Sequence, residues 1–321
     1  MLARGFLANG LCAGDKVINL FVAGNLWSSF LVVHEALQRC GVYILPMGGL
    51  SPTEEIVACL TSFKPNVAFG LPSLLVDCAR HCEKAGVEIN VDKIFYAGEH
   101  FNPSARRYLR TVWRTQSFHS AGYAAVDVGP IGWQCTHCQG GEHHLFAREV
   151  HMEIVGEEAV ITSLVRRAMP VIRYRTGDRV EWLPGHCACG NRDPRFRLLG
   201  RIDGLMNVWG CHLALADVET SLIEAGMTAS IFQLVLCIAP CDSGYSEQLV
   251  VRLEQSAVAP DFLARFSERL HHNSKDVGLT LSRDSLFRQL RVECVVAQGI
   301  PRIKRTGKVR LIIDQRESGQ E

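Results

Sequence analysis

The segment Tyr174-Arg-Thr-Gly-Asp178 ends a predicted strand with a glycine and a carboxylate. A strand that ends in Gly-Asp can hold the carboxylate where it accepts hydrogen bonds from both hydroxyls of a ribose. Gly and Asp are also common in plain surface turns. Asp178 is therefore either a ribose ligand or a turn residue, and this segment alone does not distinguish the two.

Several other segments have polar residues at predicted turns or strand ends, where they could meet a ligand. They are Ala97-Gly98-Glu99-His100, Tyr123-Ala-Ala-Val126-Asp127, Gly200-Arg201-Ile-Asp203-Gly204 with Asn207-Val-Trp-Gly210 behind it, and Pro301-Arg-Ile-Lys304-Arg-Thr-Gly-Lys308. Taken singly, the first could be an ordinary strand-end turn and the last a solvated basic run. Their order along the chain makes a common function the better interpretation.

In order and spacing, these segments together resemble the motifs of the AMP-forming adenylating (acyl-adenylate) superfamily, close to its phenylacetate–CoA ligase group. The resemblance implies that Asp178 binds the ribose, that Tyr123 lies against adenine, and that Arg201 and Asp203 form the hinge motif. It also implies that Asp127 helps to hold Mg²⁺, a cation that prefers carboxylate and phosphate oxygens.

The same resemblance assigns Gly98 and Glu99 to the lining of the adenine and acid pockets. Lys308 is the implied catalytic lysine, with Lys304 as its near alternative, because a positioned cation stabilises the charge that adenylation builds on the acid and the α-phosphate. Two departures concern metal binding: Val126 stands where the family usually has Thr, and Asp127 replaces Glu.

The implied function is an AMP-forming acid–CoA ligase that activates an aromatic or small carboxylic acid, with ATP/AMP, Mg²⁺ and coenzyme A as cofactors. An adenylating ligase that uses an amine acceptor, like the indoleacetate–lysine ligases, is the enzymatic alternative. The family's Gly/Ser/Thr-rich phosphate-binding loop should precede Val17, and no such segment occurs there. A catalytically silent member that only binds its ligand is therefore the third interpretation.

A second kind of site is predicted by Cys135-x-x-Cys138, His143 and His144, and Cys187-Ala-Cys189. Structural zinc prefers four Cys or His ligands, usually presented in pairs by tight turns. Comparison with zinc-bearing members of the resembled family selects Cys135, His143, Cys187 and Cys189, with Cys138 competing for one place. The alternative is that these are reduced cysteines in loops.

The elements that must position these residues follow from the hydrophobic pattern. Short apolar runs alternate with helical patterns through the first hundred residues, and this alternation predicts an α/β fold with a mostly parallel sheet. Alternating strands between Gly129 and Leu199 predict an antiparallel β unit. After this unit in the sequence, we expect a small, mobile α+β module. We predict an N-terminally incomplete adenylation domain over residues 1–202 and a C-terminal lid domain over residues 203–321.

Composition limits the class of partner. The 34 Lys and Arg residues nearly balance the 33 Asp and Glu residues, so no global field attracts nucleic acid. No stretch approaches the length of a membrane span, and no signal peptide is evident, so we expect a cytoplasmic protein with small-molecule partners. A homodimer is compatible with the sequence, which does not specify an oligomeric state. Trp27, Phe69, Leu71 and Phe101 are either pocket or core residues.

Overall fold

The computed structural model describes residues 1–23, 28–99, 101, 103–241, 244–303 and 306–316, with the backbone alone for residues 203, 207, 240, 241, 244 and 245. Four earlier predictions fall outside this description: Trp27, His100, Lys304 and the side chain of Asp203. The described residues confirm the predicted α/β class. A parallel sheet comes first along the chain, an antiparallel β unit follows, and an α+β part comes last.

The first part of the chain alternates strands and helices around a five-stranded parallel sheet, as the sequence predicts. Its strands are β1 (Lys16–Asn19), β2 (Tyr43–Leu45), β3 (Val67–Gly70), β4 (Lys93–Tyr96) and β5 (Ser117–Ser120), in the spatial order β2-β1-β3-β4-β5. The accompanying helices are α1 (Leu2–Ala8), α2 (Ser29–Gln38), α3 (Thr53–Phe63), α4 (Pro72–Ala85) and α5 (Pro103–Val112).

The boundaries of these helices follow local chemistry. Helix α4 begins with Pro72 at its first turn, where the missing N–H costs nothing, and it ends at Gly86, which adopts φ 66°. Phe69 and its partner Phe95 are buried on one face of the sheet, and Ala68 and its partner Ile94 are buried on the other. The sheet is apolar on both faces, as expected when helices cover a parallel sheet.

A seven-stranded sheet follows, in which neighbouring strands are antiparallel. Its strands are β6 (Tyr123–Ala125), β7 (Gly129–Trp133), β8 (Glu142–Leu145), β9 (Val150–Val155), β10 (Glu158–Ser163), β11 (Tyr174–Leu183) and β12 (Arg195–Arg201), in the order β6-β7-β8-β12-β11-β10-β9. Three strands, β7, β8 and β12, lie between β6 and β11 in this order, and about fifty residues separate the two in the chain.

The remaining elements form the α+β part. They are the hairpin of β13 (Leu205–Val208) and β14 (Cys211–Ala214), the helices α6 (Leu215–Glu224), α7 (Phe262–Asn273), α8 (Lys275–Thr280) and α9 (Arg283–Gln289), and a four-stranded sheet of β15 (Phe232–Cys241), β16 (Gly244–Leu253), β17 (Leu290–Cys294) and β18 (Ile312–Asp314). Helices α8 and α9 and strand β18 were not predicted, because their short segments have no clear periodicity.

Contacts divide the chain into two compact units. One comprises Met1–Phe101, Leu109–Ile202 and Arg305–Gly307, and the other comprises Asn102–Tyr108, Asp203–Lys304 and Lys308–Glu321. The functional division into an adenylation domain and a lid stays a prediction. Among the described helices, none combines the length and the apolar character that a membrane crossing requires.

Candidate functional site

The carboxylate of Asp178 lies at the end of a small polar cluster built by three separate segments. The hydroxyl of Tyr123 donates to Asp178 Oδ2 at 2.6 Å, and Arg201 Nη1 lies 3.2 Å from Asp178 Oδ1. Asp178 and Arg201 are directly opposite each other on β11 and β12, whereas Tyr123 begins β6. The structure thus brings together three of the residues that the sequence assigned to a nucleotide site.

The turn that carries Asp178 is an irregularity in the sheet. Glu158 of β10 pairs with Arg179 and Val160 pairs with Arg175, so residues 176–178 stand opposite Ala159 alone. Gly177 within it adopts φ +75°, and a Cβ there would lie 2.8 Å from Arg201 Nη2. A side chain at this position would therefore meet both backbone strain and a steric clash.

Thr176 stabilises the same turn. Its hydroxyl donates to the carbonyl of Ala159 at 3.0 Å and accepts from the backbone N–H of Asp178 at 3.1 Å. Thr176 was not predicted to have a role, since a threonine between an arginine and a glycine forms no distinctive pattern.

The electrostatics favour a neutral Tyr123 beside the Asp178 carboxylate. Burial is the main cause that raises the pKa of Tyr123 above its ordinary value, and the neighbouring Asp178 carboxylate raises it further. The Tyr123 hydroxyl therefore keeps its proton at neutral pH and acts as a donor. With Oδ1 near a guanidinium and Oδ2 on a phenol, the Asp178 side chain has a fixed orientation.

Asp127 is exposed just beyond β6. Its Oδ2 accepts from the hydroxyl of Tyr174 at 2.8 Å, and its backbone carbonyl accepts from Arg166. The hydrogen bond to Asp127 is the main cause that raises the pKa of Tyr174. Asp127 thus offers a solvent-facing carboxylate whose loop is tied to the start of β11 by Tyr174, four residues before Asp178.

Gly98 and Glu99 follow β4, and Glu99 has a visible structural task. Its carboxylate accepts from the backbone N–H of Ser73 at 2.9 Å and from the Ser73 hydroxyl at 3.0 Å. Ser73 lies in the first turn of α4, where N–H groups lack partners within the helix. Gly98 has φ +81°, which explains the glycine before Glu99. Their role in a ligand pocket stays a prediction.

The predicted pocket residues behind β3 and β4 belong to the core. Phe69 stacks on Phe95 with ring centroids 4.6 Å apart, and Phe101 packs edge-on against Phe118 at 5.1 Å. Phe69, Leu71 and Phe101 are all buried. These three residues are therefore better interpreted as core residues than as pocket residues. The sequence could not separate the two interpretations, because large apolar side chains occur in both places.

Lys308 belongs to the other unit and is half-buried. Its carbonyl accepts from the backbone N–H of Ile303 at 2.9 Å, and Arg302 and Val309 form an antiparallel bridge. Lys308 therefore lies beside the bridge that pairs Arg302 with Val309. Asp203 lies in a short 3-10 turn, Ile202–Gly204, directly after Arg201.

Three cysteines and one histidine form a cluster with metal-ligand geometry. One ligand atom from each of Cys135, His144, Cys187 and Cys189 lies within 4.8 Å of all the others. Cys135 Sγ is 3.5 Å from Cys187 Sγ, and Cys189 Sγ is 3.6 Å from His144 Nε2. With zinc bonds of about 2.3 Å to sulfur and 2.0 Å to nitrogen, a tetrahedron requires S···S of about 3.8 Å and S···N of about 3.5 Å. The donor set fits zinc.

The histidine of this cluster is His144 and not His143, which corrects the sequence-based selection. The two are neighbours on β8, so their side chains point to opposite faces of the sheet. His143 is engaged elsewhere: its Nδ1 lies 2.8 Å from the Gly141 carbonyl and its Nε2 lies 3.2 Å from Ser120 Oγ. His144 stacks on Trp133 at 4.4 Å and faces the cysteines.

Cys138 lies next to the cluster but outside the set of four. Its Sγ is 3.6 Å from Cys135 Sγ. Burial raises the pKa of Cys135 and of Cys189 to about 11, so the thiolates that zinc binds need a cation nearby. Burial also lowers the pKa of His144, which favours the neutral imidazole that a metal requires.

Comparisons with known proteins agree with this architecture. No family model matches the chain. The phenylacetate-coenzyme A ligase of Pseudomonas putida is 25% identical over 252 residues, which are 74% of this chain and 56% of that protein. The indoleacetate–lysine synthetase of Pseudomonas savastanoi is 28% identical over 181 residues, 55% of this chain and 45% of that protein. The chain spans about half the length of these two curated relatives.

Solved structures share the fold. A 2-hydroxyisobutyryl-CoA ligase in complex with 2-HIB-AMP superposes with a TM-score of 0.77 at 20% identity, covering 99% of this chain and 69% of that one. An anthranilate CoA ligase, AuaEII, in complex with anthranoyl-AMP gives a TM-score of 0.55 at 13% identity, covering 96% and 60%. The elements around Asp178 and Tyr123 thus belong to a fold found in adenylate-forming ligases.

Proposed function

Since the chain is related by sequence and fold to the AMP-forming adenylating superfamily, we propose that it is an acid–CoA ligase that activates an aromatic or small carboxylic acid. One observation carries the proposal: Tyr123, Asp178 and Arg201, from three segments far apart in the chain, meet within hydrogen-bonding distance. A plain surface turn at Asp178 would not need this convergence.

In the proposed reaction a carboxylate oxygen of the acid attacks the α-phosphorus of ATP. The acyl–O–P bond forms, the bond from the α-phosphorus to the bridging oxygen breaks, and pyrophosphate leaves with the electron pair. The thiol of coenzyme A, after losing its proton to water, then attacks the acyl carbonyl. The acyl–S bond forms, the acyl–O–P bond breaks, and AMP leaves.

The side chains of this protein have three tasks in that scheme. The carboxylate of Asp178 accepts from the ribose hydroxyls, and its fixed orientation fixes the position of the nucleotide. The ring of Tyr123 lies along the adenine. The ammonium group of Lys308 stabilises the charge that develops between the acid and the α-phosphate.

Magnesium is part of the proposal through Asp127. This exposed carboxylate suits Mg²⁺, which takes one or two protein carboxylates and completes its shell with phosphate oxygens and water. When bound, the ion supplies positive charge against the triphosphate. Asp127 itself is held by Tyr174, so its carboxylate needs no large rearrangement to meet the ion.

A structural zinc ion is also proposed, held by Cys135, His144, Cys187 and Cys189. Four ligands close the coordination shell, which is typical of structural sites and leaves no position for a reacting water. The ion would join the loop after β7, strand β8 and the loop before β12. It has no step in the acid activation.

An amine acceptor is the second candidate, because a relative that joins indoleacetate to lysine is 28% identical over 181 residues. Both candidates share the adenylate, so only the second half-reaction separates them. A cytoplasmic location is proposed with either, because ATP and coenzyme A are the expected substrates.

The test uses hydroxylamine, which converts an acyl-adenylate into a hydroxamate. In a first set of reactions the protein is incubated with ATP, Mg²⁺, hydroxylamine and one acid from a panel of aryl and small aliphatic acids. In a second set coenzyme A or lysine replaces hydroxylamine. Hydroxamate formation, together with loss of the free thiol of coenzyme A in the reactions that contain it, supports the CoA ligase. Formation of an amide with lysine supports the alternative. Binding of AMP without hydroxamate for any acid would reject an active ligase and leave a ligand-binding protein.

A further inference from the structure

Glu158 is a buried carboxylate to which the proposed reaction gives no task. It begins β10 and is 4% exposed, although charged side chains are almost never buried without a partner. Its neighbour Glu157 is the usual case, with a side chain 64% exposed and an ion pair to Arg179. The burial of Glu158 therefore needs a reason.

The partners of Glu158 all lie in the turn that precedes Asp178. Its Oε1 accepts from the backbone N–H of Gly177 at 3.0 Å. Its Oε2 accepts from Arg175 Nε at 2.6 Å, and the same oxygen pairs with Arg175 Nη2. The hydrogen bond from Arg175 is the main cause that lowers the pKa of Glu158, so the carboxylate is ionised at neutral pH.

These bonds hold a backbone conformation that the sheet itself does not provide. Residues 176–178 have no partners of their own on the β10 side of the strand, because they bulge out opposite Ala159. The N–H of Gly177 would otherwise lack an acceptor, at a residue with φ +75°. Glu158 therefore supplies from β10 the acceptor that a regular strand would have supplied.

The consequence concerns Asp178, which directly follows Gly177. A carboxylate that accepts from two ribose hydroxyls must approach both at once, so a shift of its backbone by a fraction of an ångström weakens one of the two bonds. Thr176 fixes the N–H of Asp178 and Glu158 fixes the N–H of Gly177. Together these two hydrogen bonds determine the position and direction of the Cα–Cβ bond of Asp178.

We propose that Glu158 is a positioning residue that shapes the 175–178 turn so that Asp178 reaches both ribose hydroxyls, and that it thereby sets a preference for ribonucleotides over 2′-deoxyribonucleotides. This inference rests on the proposed function, because it requires nucleotide binding at Asp178. Glu158 acts through Gly177 and Arg175 and does not touch the nucleotide.

The test measures the affinities of the full chain for AMP and for 2′-deoxy-AMP by titration calorimetry. The wild-type protein is expected to prefer AMP by about tenfold or more, since a hydrogen bond to a charged group is lost with the 2′-hydroxyl. Glu158→Gln keeps the size but removes the charge that holds Arg175, and Glu158→Asp keeps the charge but shortens the reach to Gly177. Both should bring the affinity ratio close to one.

Glu157→Gln is the matched control, because it removes a neighbouring carboxylate that does not bond to the turn, and it should keep the wild-type ratio. A ratio of two affinities is insensitive to a fraction of unfolded protein, so mere destabilisation does not imitate the effect. If the wild type selects AMP and both Glu158 variants select it equally well, the inference is wrong while the proposed function stands. If the wild type binds neither nucleotide, the proposed function itself fails.

Discussion

The carboxylate of Asp178 is held from two sides before any ligand arrives. Tyr123 donates to one oxygen and Arg201 lies beside the other, while the side chain as a whole is only 17% exposed. Each oxygen has a further lone pair that a hydroxyl can use. The arrangement suits a ligand with two neighbouring hydroxyls better than a ligand with a single hydroxyl.

Replacing Asp178 by Asn should weaken AMP binding by about 10- to 100-fold, because an amide offers one acceptor and places an N–H group against a hydroxyl or against Arg201. Calorimetric titration with AMP measures the change. Glu181→Gln is the control, since Glu181 lies on the same strand and pairs with Arg197 at the surface. An Asp178→Asn protein with wild-type affinity would show that the ribose does not bind at this carboxylate.

The two neighbouring histidines on β8 provide a second test at the scale of single residues. His144→Ala and Cys187→Ser should each lose the zinc ion, because each removes one of four ligands, whereas Cys138→Ser should keep one zinc per chain. Elemental analysis of the purified proteins measures the stoichiometry.

His143→Ala is the matched control for that series, since this imidazole bonds to Ser120 and Gly141 instead. It should keep the metal even if its burial makes the variant less stable. Zinc retained in His144→Ala and lost in His143→Ala would reverse the assignment. A wild-type protein that is folded and free of metal would reject the site altogether.

At the scale of elements, the bulge between β10 and β11 depends on a residue without a side chain. Gly177→Ala should destabilise the protein by about 1–2 kcal/mol, because an L-residue in the left-handed region costs roughly that much, and the added methyl group also displaces Arg201. Denaturant unfolding measures the loss of stability, and AMP titration should show weakened binding as well.

Gly156→Ala is the comparison for that experiment. Gly156 also has a positive φ, at +55°, but no atom lies within 4 Å of a Cβ built there. It should show the loss of stability without the loss of AMP affinity. Equal effects of the two substitutions on AMP binding would argue against a special role for the 175–178 turn.

Strand β5 contains an imidazole that should make stability depend on pH. Burial is the main cause that lowers the pKa of His119 to about 4, and the nearby Lys93 lowers it further. The unfolded chain takes up a proton on this histidine below about pH 6.5, whereas the folded protein does not until about pH 4. Its contribution to stability is therefore complete above pH 6.5 and is lost as the pH falls through this window.

The effect is measurable as a difference between two proteins. With an allowance for partial exposure, His119 should account for about 1 to 2 kcal/mol of the stability that the wild type loses between pH 6.5 and 4.5. His119→Gln keeps a polar group near Asn9 and Ser117 and should lose that much less. Identical pH dependence of the free energy of unfolding in both proteins would contradict the assignment.

At the scale of the whole molecule, the proposed role of Lys308 in charge stabilisation can be tested separately from the proposed role of Asp178 in nucleotide binding. Asp178 belongs to one unit and Lys308 to the other. Lys308→Ala should therefore leave AMP binding nearly unchanged but reduce acyl-adenylate formation by about 10²- to 10³-fold, the usual cost of removing a group that stabilises charge in the transition state.

Hydroxamate formation at saturating ATP and acid measures that rate, with AMP affinity determined on the same preparation. Lys275→Ala is the control, since it removes a lysine from α8 of the same unit. Undiminished hydroxamate from Lys308→Ala would exclude this lysine from the adenylation step. A parallel loss of AMP binding would instead indicate a binding role.

The sequence by itself determined the strand and helix order around the parallel sheet, and it indicated the segments of the proposed nucleotide site. Helix α4 and strands β1, β3 and β4 could be predicted because each stands between clear breakers and shows a regular apolar period. The cysteine cluster at Cys187-Ala-Cys189 could be predicted because paired cysteines are distinctive over a few residues. Asp178 was selected only through the order of several segments along the chain, because Gly-Asp alone is also common in turns.

Only the tertiary structure decided which face of the sheet each side chain occupies. Two adjacent histidines are equivalent in a sequence, and the packing of β8 between β7 and β12 turns His144 to the cysteines and His143 to Ser120. Phe69 and Phe101 could be identified as core residues only from their packing against Phe95 and Phe118. Glu158 became significant only when a bulge brought Gly177 to its carboxylate. Such long-range pairings arise between residues whose separation along the chain carries no local pattern, so they emerge only when the strands are assembled.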